Sequence, residues 1–285
     1  MNPRTLLRGH DKDLGGGFRV RRLLPAVQRQ AVGPFLFFDH FGPVTLQAGE
    51  HHDVRPHPHI GLGTVTYLFE GAMLHRDSTG VVQRIEPGAI NWMTAGRGIV
   101  HSERSPDDQR ALTRRLHGLQ LWTALPAADE EIAPSFVHVP ASALALLPID
   151  GASVRVLVGT AYGQRSPVVT CSPTLYLDIT LTAAAALRLP DAPERALYAV
   201  DAPFTLDGET VPARQMVVLQ AGEQPVLGAP AASRVVLIGG EPLGHRFMVW
   251  NFVSSRRERI VQAQDDWRAQ RFDPVPGETE FIPLP

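Results

Sequence analysis

Cysteine is almost missing from this chain: Cys171 is the only one among 285 residues. One thiol cannot close an intrachain disulfide or furnish a cysteine-rich metal site, and its scarcity suits a reducing, cytoplasmic setting. Long apolar runs are missing too. ASALALLPI (Ala141 to Ile149) is far too short to span a bilayer. The opening MNPRTLLRGHDKDLGGG lacks the apolar core of a secretory signal, so a soluble protein with no membrane partner is expected. Neither charge sign is in excess, with 27 Lys and Arg against 29 Asp and Glu. Direct nucleic-acid binding is therefore disfavoured. No GxSxG elbow and no Gly-Lys-Ser or Gly-Lys-Thr loop occurs. The glycines Gly15 to Gly17 precede the strand-like FRVRRLLP, which makes them a flexible turn and not a phosphate cradle.

What the chain does have is punctuation, 25 Gly and 25 Pro between short runs rich in Val, Ile, Leu, Thr and Tyr. GTVTYLF, AINWM, LHGLQLW, VRVLVG, TLYLDITL, ALYAV, MVVLQ and RVVLIGG read as strands. Turn signals such as DSTG, EPGA and LDGE separate them. Many short strands predict an all-β sandwich or barrel. One segment, Ser255 to Phe272, reads as helix. Ser255 and Glu258 have capping-box spacing, and Ile260, Val261, Gln264 and Trp267 follow at helical intervals. Prolines at 126, 134, 140 and 148 mark a boundary between two domains, placed at 1–133 and 134–285. His51, His52, His57, His59, His75, His101 and His117 crowd the first half, against His138 and His245 in the second. The chemistry belongs to the first half.

Two motifs carry that chemistry: HPH at His57 to His59 and HSE at His101 to Glu103. Side chains at i and i+2 of a strand share a face, so each pair can meet one ion. Three imidazoles and a carboxylate suit a divalent transition metal with positions left open. HPHIGLGTVTYLFEG reads as one run from His57 to Gly71, in which Gly61 and Gly63 clear a face for a ligand or another backbone. Around the expected centre, Gln120 and His75 are candidates for its surroundings or pocket wall. His51 and His52 read as solvent-exposed, Glu70 as a strand end, Cys171 as inert, and Asp39 and His40 as an early strand and turn.

These segments resemble the pirins of the cupin superfamily, in their bacterial branch. The resemblance rests on PFLFFDHFGP, HPHIGLGTVTYLFEG, LHRDSTG, IEPGAINWMTAGRGIVHSE, HGLQLW and the closing VWNFVSSRRERIVQAQDDW. It implies two tandem cupin barrels of double-stranded β-helix (jelly-roll) type with a short C-terminal helix, and a monomer. It also implies one metal in the first barrel, usually iron, on His57, His59, His101 and Glu103. Nickel, copper, manganese or zinc would accept the same donors. The implied activity is cleavage of flavonols such as quercetin by oxygen, with Glu103 able to take the 3-hydroxyl proton as general base. Two alternatives follow from the same resemblance: an iron redox sensor acting on a protein partner, or a small-molecule binding barrel with a vestigial site.

Overall fold

The computed structural model describes residues 4–15 and 17–285. Strands hold 49% of the chain and helices 7%, so the all-β expectation is met. Each of the eight runs read as strands lies on an observed strand, from Leu62–Glu70 for GTVTYLF to Ser233–Gly240 for RVVLIGG. Gly15 and Gly17 both have positive φ, as a turn requires, whereas Gly16 lies outside the described residues. Among the described residues no helix is long and apolar enough to cross a membrane.

The chain forms two compact units, and neither is contiguous. One contains Arg21–Phe38 and Ser142–Pro242 together with the chain up to Asp11; the other contains Lys12–Val20, Asp39–Ala141 and Leu243–Pro285. The sequence boundary at 133/134 thus falls near one crossing, but the closing segment is grouped with Asp39–Ala141. Composition cannot reveal this, because long-range packing decides which unit a terminal segment joins.

In the unit built on Ser142–Pro242, Glu194–Ala199, Ser233–Gly240, Thr174–Leu181 and Ala152–Val158 are consecutive antiparallel neighbours. Opposite register partners such as Val156 and Leu177, or Leu177 and Leu237, fill the interior. This core is apolar and mostly aliphatic, with Val154, Ile179, Leu197 and Leu227 fully buried around Phe204.

The unit built on Asp39–Ala141 pairs a larger sheet, containing Ser135–Val139, Ile90–Thr94, Leu62–Glu70, Arg114–Ala124 and, from Asp39 on, Phe35–Leu46 in that order, with a four-stranded one. The latter runs Val54–His59, Ile99–Arg104, Met73–Asp77, Val82–Ile85, all antiparallel. Here the single run expected from His57 to Gly71 is corrected. It breaks at Gly61 (φ +66°) into Val54–His59 and Leu62–Glu70, which belong to different sheets. The close approach read from Gly61 is a backbone one: a Cβ there would run into the Val253 carbonyl oxygen. At Gly63 a Cβ would stand 3.0 Å from Thr123 Oγ1.

The helix spans Arg257–Arg268, shorter than the sequence suggested, and its N-cap is Arg256 with no side-chain cap. The capping box does not form. Ser255 Oγ instead donates to Glu130 Oε2 at 3.0 Å, and the Ser255 N–H donates to the same carboxylate. A buried anion outcompetes Glu258 because it takes several donors at once. Ile260, Ala263 and Trp267 are buried, while Val261 is exposed, so the apolar face is narrower than its spacing implied. That face packs with Phe252 on Ile60 and Val100. These are the neighbours in sequence of His59 and His101, so alternation sends the histidines to the opposite side.

Candidate metal centre

Strand register assembles the site. On adjacent antiparallel strands His101 stands opposite His57, and His59 opposite Ile99. Cross-strand partners on one face lie about 5 Å apart at Cβ, and their diagonal i+2 neighbours, about 7 Å away, stay within reach of long side chains. The His57–His101 ring centroids are 4.4 Å apart, with His57–His59 and His59–His101 both at 5.0 Å. One ring atom from each of the three histidines falls within 4.8 Å of the others. All three are buried. The ligand strands are held from behind: Ser102 and Arg104, on the reverse face of Ile99–Arg104, both bond to Glu278.

The hydrogen bonds fix which nitrogens face inward. His57 Nδ1 lies 2.9 Å from the Arg55 carbonyl oxygen and His59 Nδ1 3.1 Å from that of Asn251. A carbonyl only accepts, so both Nδ1 atoms carry the hydrogen and both Nε2 atoms present lone pairs. His59 Nε2 faces His101 Nε2 at 3.1 Å. Two nitrogens about 2.1 Å from one ion and at right angles to each other would be about 3 Å apart. The donor set therefore fits a divalent transition metal.

Electrostatics agree. Burial pushes His57 down to about 4, against the hydrogen bond from its ring to the Arg55 carbonyl, and holds His59 and His101 well below the usual histidine range. Neutral imidazole is the metal-binding form. Glu103 is also buried, which raises its carboxyl to about 7, with Thr66 as a hydrogen-bond partner opposing the rise.

These shifts set an acid response for metal-free protein. Unfolded His57 titrates near 6.5, so below that pH the unfolded chain binds a proton that the folded one excludes. Stability from this source is complete above about 6.5 and drains away toward 4, costing about 2 kcal/mol at pH 5. Glu103, neutral when folded near pH 5, returns a similar amount between pH 7 and 5. His59 and His101 shift in the same direction as His57 and decide the sign. The urea midpoint of metal-free protein is expected to be lower at pH 5 than at pH 7; a higher one would mean that the triad is not neutral.

Of the expected residues, the fold brings His57, His59 and His101 together. Glu103 stands outside that group of three. Its pairing slips by one residue, since Glu103 opposes Val54 while His101 opposes His57, and such a bulge re-aims the side chain. Glu103 Oε1 lies 3.3 Å from Thr66 Oγ1, which in turn is 2.9 Å from Gln120 Oε1. His75 lines the site with its Nδ1 3.4 Å from His101 Nδ1. His51 is exposed and His52 stacks on Phe18. Glu70 pairs with Arg115. Cys171 is exposed.

Asp39 and His40 are buried within a long strand instead of forming a turn, and His40 Nε2 meets His117 Nε2 at 2.6 Å. Trp122 is edge-on to His59 at 5.1 Å, and Phe136 stacks on His75 at 4.4 Å. Sequence reasoning passed over both, since isolated aromatics carry no spacing signal. It also passed over Asp77, although His75-x-Asp77 repeats the i, i+2 spacing that revealed the two metal motifs.

Comparison with known proteins places this geometry. The pirin family model matches residues 17–123, and that of the pirin C-terminal cupin domain matches residues 176–273. A pirin-like protein of Caulobacter vibrioides is 47% identical over 279 residues, covering 96% of each chain. A Pseudomonas aeruginosa protein whose name proposes quercetin 2,3-dioxygenase activity is 38% identical, covering 93% of this chain and 85% of that one. A crystal structure of quercetin 2,3-dioxygenase from Acinetobacter baumannii superposes with a TM-score of 0.92 at 36% identity, covering 99% of this chain and 95% of the other. Likeness of that depth along nearly every residue has one meaning: this two-cupin chain belongs to the pirin family.

Proposed function

We propose that this protein is a metal-dependent dioxygenase that opens flavonols with molecular oxygen, of quercetin 2,3-dioxygenase type, with iron as its metal. The observation that carries the reading is the buried group of three imidazoles within 4.8 Å, beside a carboxyl raised to about 7. The named activities of the Pseudomonas and Acinetobacter relatives support the substrate class. His57, His59 and His101 would hold the metal, with Glu103 as the fourth donor. When bound, such a metal polarises an enolate and supplies the redox centre that oxygen chemistry needs.

Glu103 is placed to act on protons. Its Oε1 lies 3.3 Å from the Thr66 hydroxyl, so a proton taken there meets a hydrogen-bond acceptor. In this proposal Glu103, loosened from the metal, takes the flavonol 3-hydroxyl proton on Oε1. The Thr66 hydroxyl has one hydrogen and two neighbours, Glu103 Oε1 and Gln120 Oε1. Once Glu103 is protonated it donates to Thr66 Oγ1, and the Thr66 hydrogen turns to Gln120. Trp122 and Phe136 supply apolar walls suited to a planar aromatic substrate.

The test is oxygen uptake with quercetin by protein loaded with Fe(II), read beside quercetin loss and carbon monoxide release. Uptake matching quercetin consumption is expected. Metal-loaded protein that consumes no oxygen would overturn the enzyme reading and favour an iron redox sensor working through a protein partner. Glu103→Gln removes the base but leaves the three nitrogens, so metal stays bound while turnover falls by about 10²–10⁴. Unchanged turnover would remove Glu103 from the proton step.

A further inference from the structure

We infer that the inner face of the larger sheet is a binding site for a flat, multi-ring phenol, on which Asn91 and His138 read hydroxyl groups beyond the one at the metal; the inference deepens the flavonol reading above and rests on it.

Register lays two rows of side chains across the same four strands. In the first, Trp122 stands opposite Thr64, Thr64 opposite Met93, and Met93 opposite Phe136. Two residues along each strand, Gln120 stands opposite Thr66, Thr66 opposite Asn91, and Asn91 opposite His138. A step of two keeps a side chain on one face, so both rows share a face of the sheet. Three contacts show that this face is turned to the metal centre: Trp122 is edge-on to His59, Phe136 stacks on His75, and Thr66 Oγ1 lies 3.3 Å from Glu103 Oε1.

The rows differ in chemistry. The first is apolar except for Thr64, whereas the second is polar at every position. Polar side chains on an inner face need partners. The Thr66 hydroxyl donates to Gln120 Oε1 at 2.9 Å, and His138 Nδ1 lies 2.7 Å from Asn91 Oδ1. An amide oxygen only accepts, so His138 Nδ1 carries the hydrogen. Both bonds consume the amide oxygens and leave the amide nitrogens. Gln120 Nε2 and Asn91 Nδ2 have no partner among the described residues, although Asn91 is only 3% exposed. Neither nitrogen is sealed in the interior, so each can donate to a group that enters the barrel.

Spacing sets what fits. Strands stand about 4.8 Å apart, so each row runs about 14 Å, and the rows lie about 7 Å from each other. A planar ring system laid along them puts its apolar body on Trp122, Met93 and Phe136 and the hydroxyls of one edge toward the polar row. With the reacting 3-hydroxyl at Glu103, beside Thr66, Asn91 and His138 stand one and two strands farther on, level with a flanking ring. A phenol hydroxyl both accepts, from Asn91 Nδ2, and donates. Burial holds His138 below the usual histidine range, which leaves its neutral ring with a bare Nε2 to receive that hydrogen. Such a site also rejects a ligand without the hydroxyls, because its donors then lose water and gain nothing.

Binding is measured by quenching of tryptophan fluorescence in protein loaded with zinc(II), an ion without redox chemistry that leaves the ligand intact. Quercetin is compared with 3-hydroxyflavone, which keeps the 3-hydroxyl and the ring system but lacks the ring hydroxyls. Wild type is expected to bind quercetin about tenfold tighter. Asn91→Leu is expected to weaken quercetin about 3–10-fold and to leave 3-hydroxyflavone within about twofold. His138→Phe, at a half-buried position on an edge strand, should discriminate in the same way and decides the matter if Asn91→Leu does not fold. No binding of quercetin, equal wild-type affinities for the two ligands, or equal losses for both in the variants would overturn the inference. Oxygen uptake by Fe(II)-loaded protein keeps the two readings apart. Turnover of both ligands with equal kcat/KM would retain the dioxygenase and remove the polar row. Selective binding without oxygen uptake would remove the dioxygenase and retain the row as a binding site.

Discussion

Replacing His101 with alanine is expected to empty the metal centre and abolish oxygen uptake while the fold survives. His101 is the hub of the triad: it stands opposite His57 in register and its Nε2 faces that of His59. Without it two imidazoles remain on one strand, and the neighbouring strand keeps only the Glu103 carboxylate, outside the group of three. The loss should exceed the 10–100-fold typical of an outer partner, since a direct donor has gone. Stability of metal-free protein should change little. The cavity left by a buried ring costs about 1–3 kcal/mol, set against the relief of crowding three imidazoles into one buried group. What should vanish is stabilisation by metal, about 2.7 kcal/mol at a concentration 100 times Kd. Metal content after gel filtration, thermal melts with and without Fe(II), and an oxygen electrode read the three effects. Full occupancy with unaltered turnover would remove His101 from the site.

The second large effect is expected at Gly61, where alanine should destabilise this unit by at least about 3 kcal/mol and disorder the ligand strand. Two costs combine. Gly61 has φ +66°, a left-handed conformation that costs an L-residue about 1–2 kcal/mol. Its added Cβ would also collide with the Val253 carbonyl oxygen, and forced overpacking costs about 1–3 kcal/mol more. Relief requires Val253 to move, and with it Phe252, which packs on Ile60 behind His59. Gly208 is the control. It has φ +86° with nothing within 4 Å of its missing Cβ, so Gly208→Ala should show the conformational cost alone. Urea midpoints of the two variants measure the difference. Equal losses would mean that the Val253 contact carries no weight.

The strands were legible because β-branched and aromatic runs alternate with turn residues, a signal local to each segment. TLYLDITL folds as Thr174–Leu181 because Leu175, Leu177 and Ile179 face one core while Asp178 faces away with Arg234. The capping box at Ser255 was misleading for a non-local reason. Its hydroxyl goes to Glu130, 125 residues earlier, a competitor that no window around the helix contains. The run through Gly61 was misleading because apolar alternation persists on both sides of a break that only the approach of Val253 explains. His40 and His117 illustrate the same limit: 77 residues apart, they form a buried pair invisible to spacing.

By itself the sequence determined the fold class and the three metal-facing histidines, since both follow from a period of two residues along a strand. Tertiary structure alone decided how those histidines are oriented. The Arg55 and Asn251 carbonyls fix the hydrogens of His57 and His59, and only folding brings Asn251 to His59 across 192 residues. It also decided that Glu103 stands apart from the triad, because a one-residue slip in pairing belongs to two strands together and is written in neither.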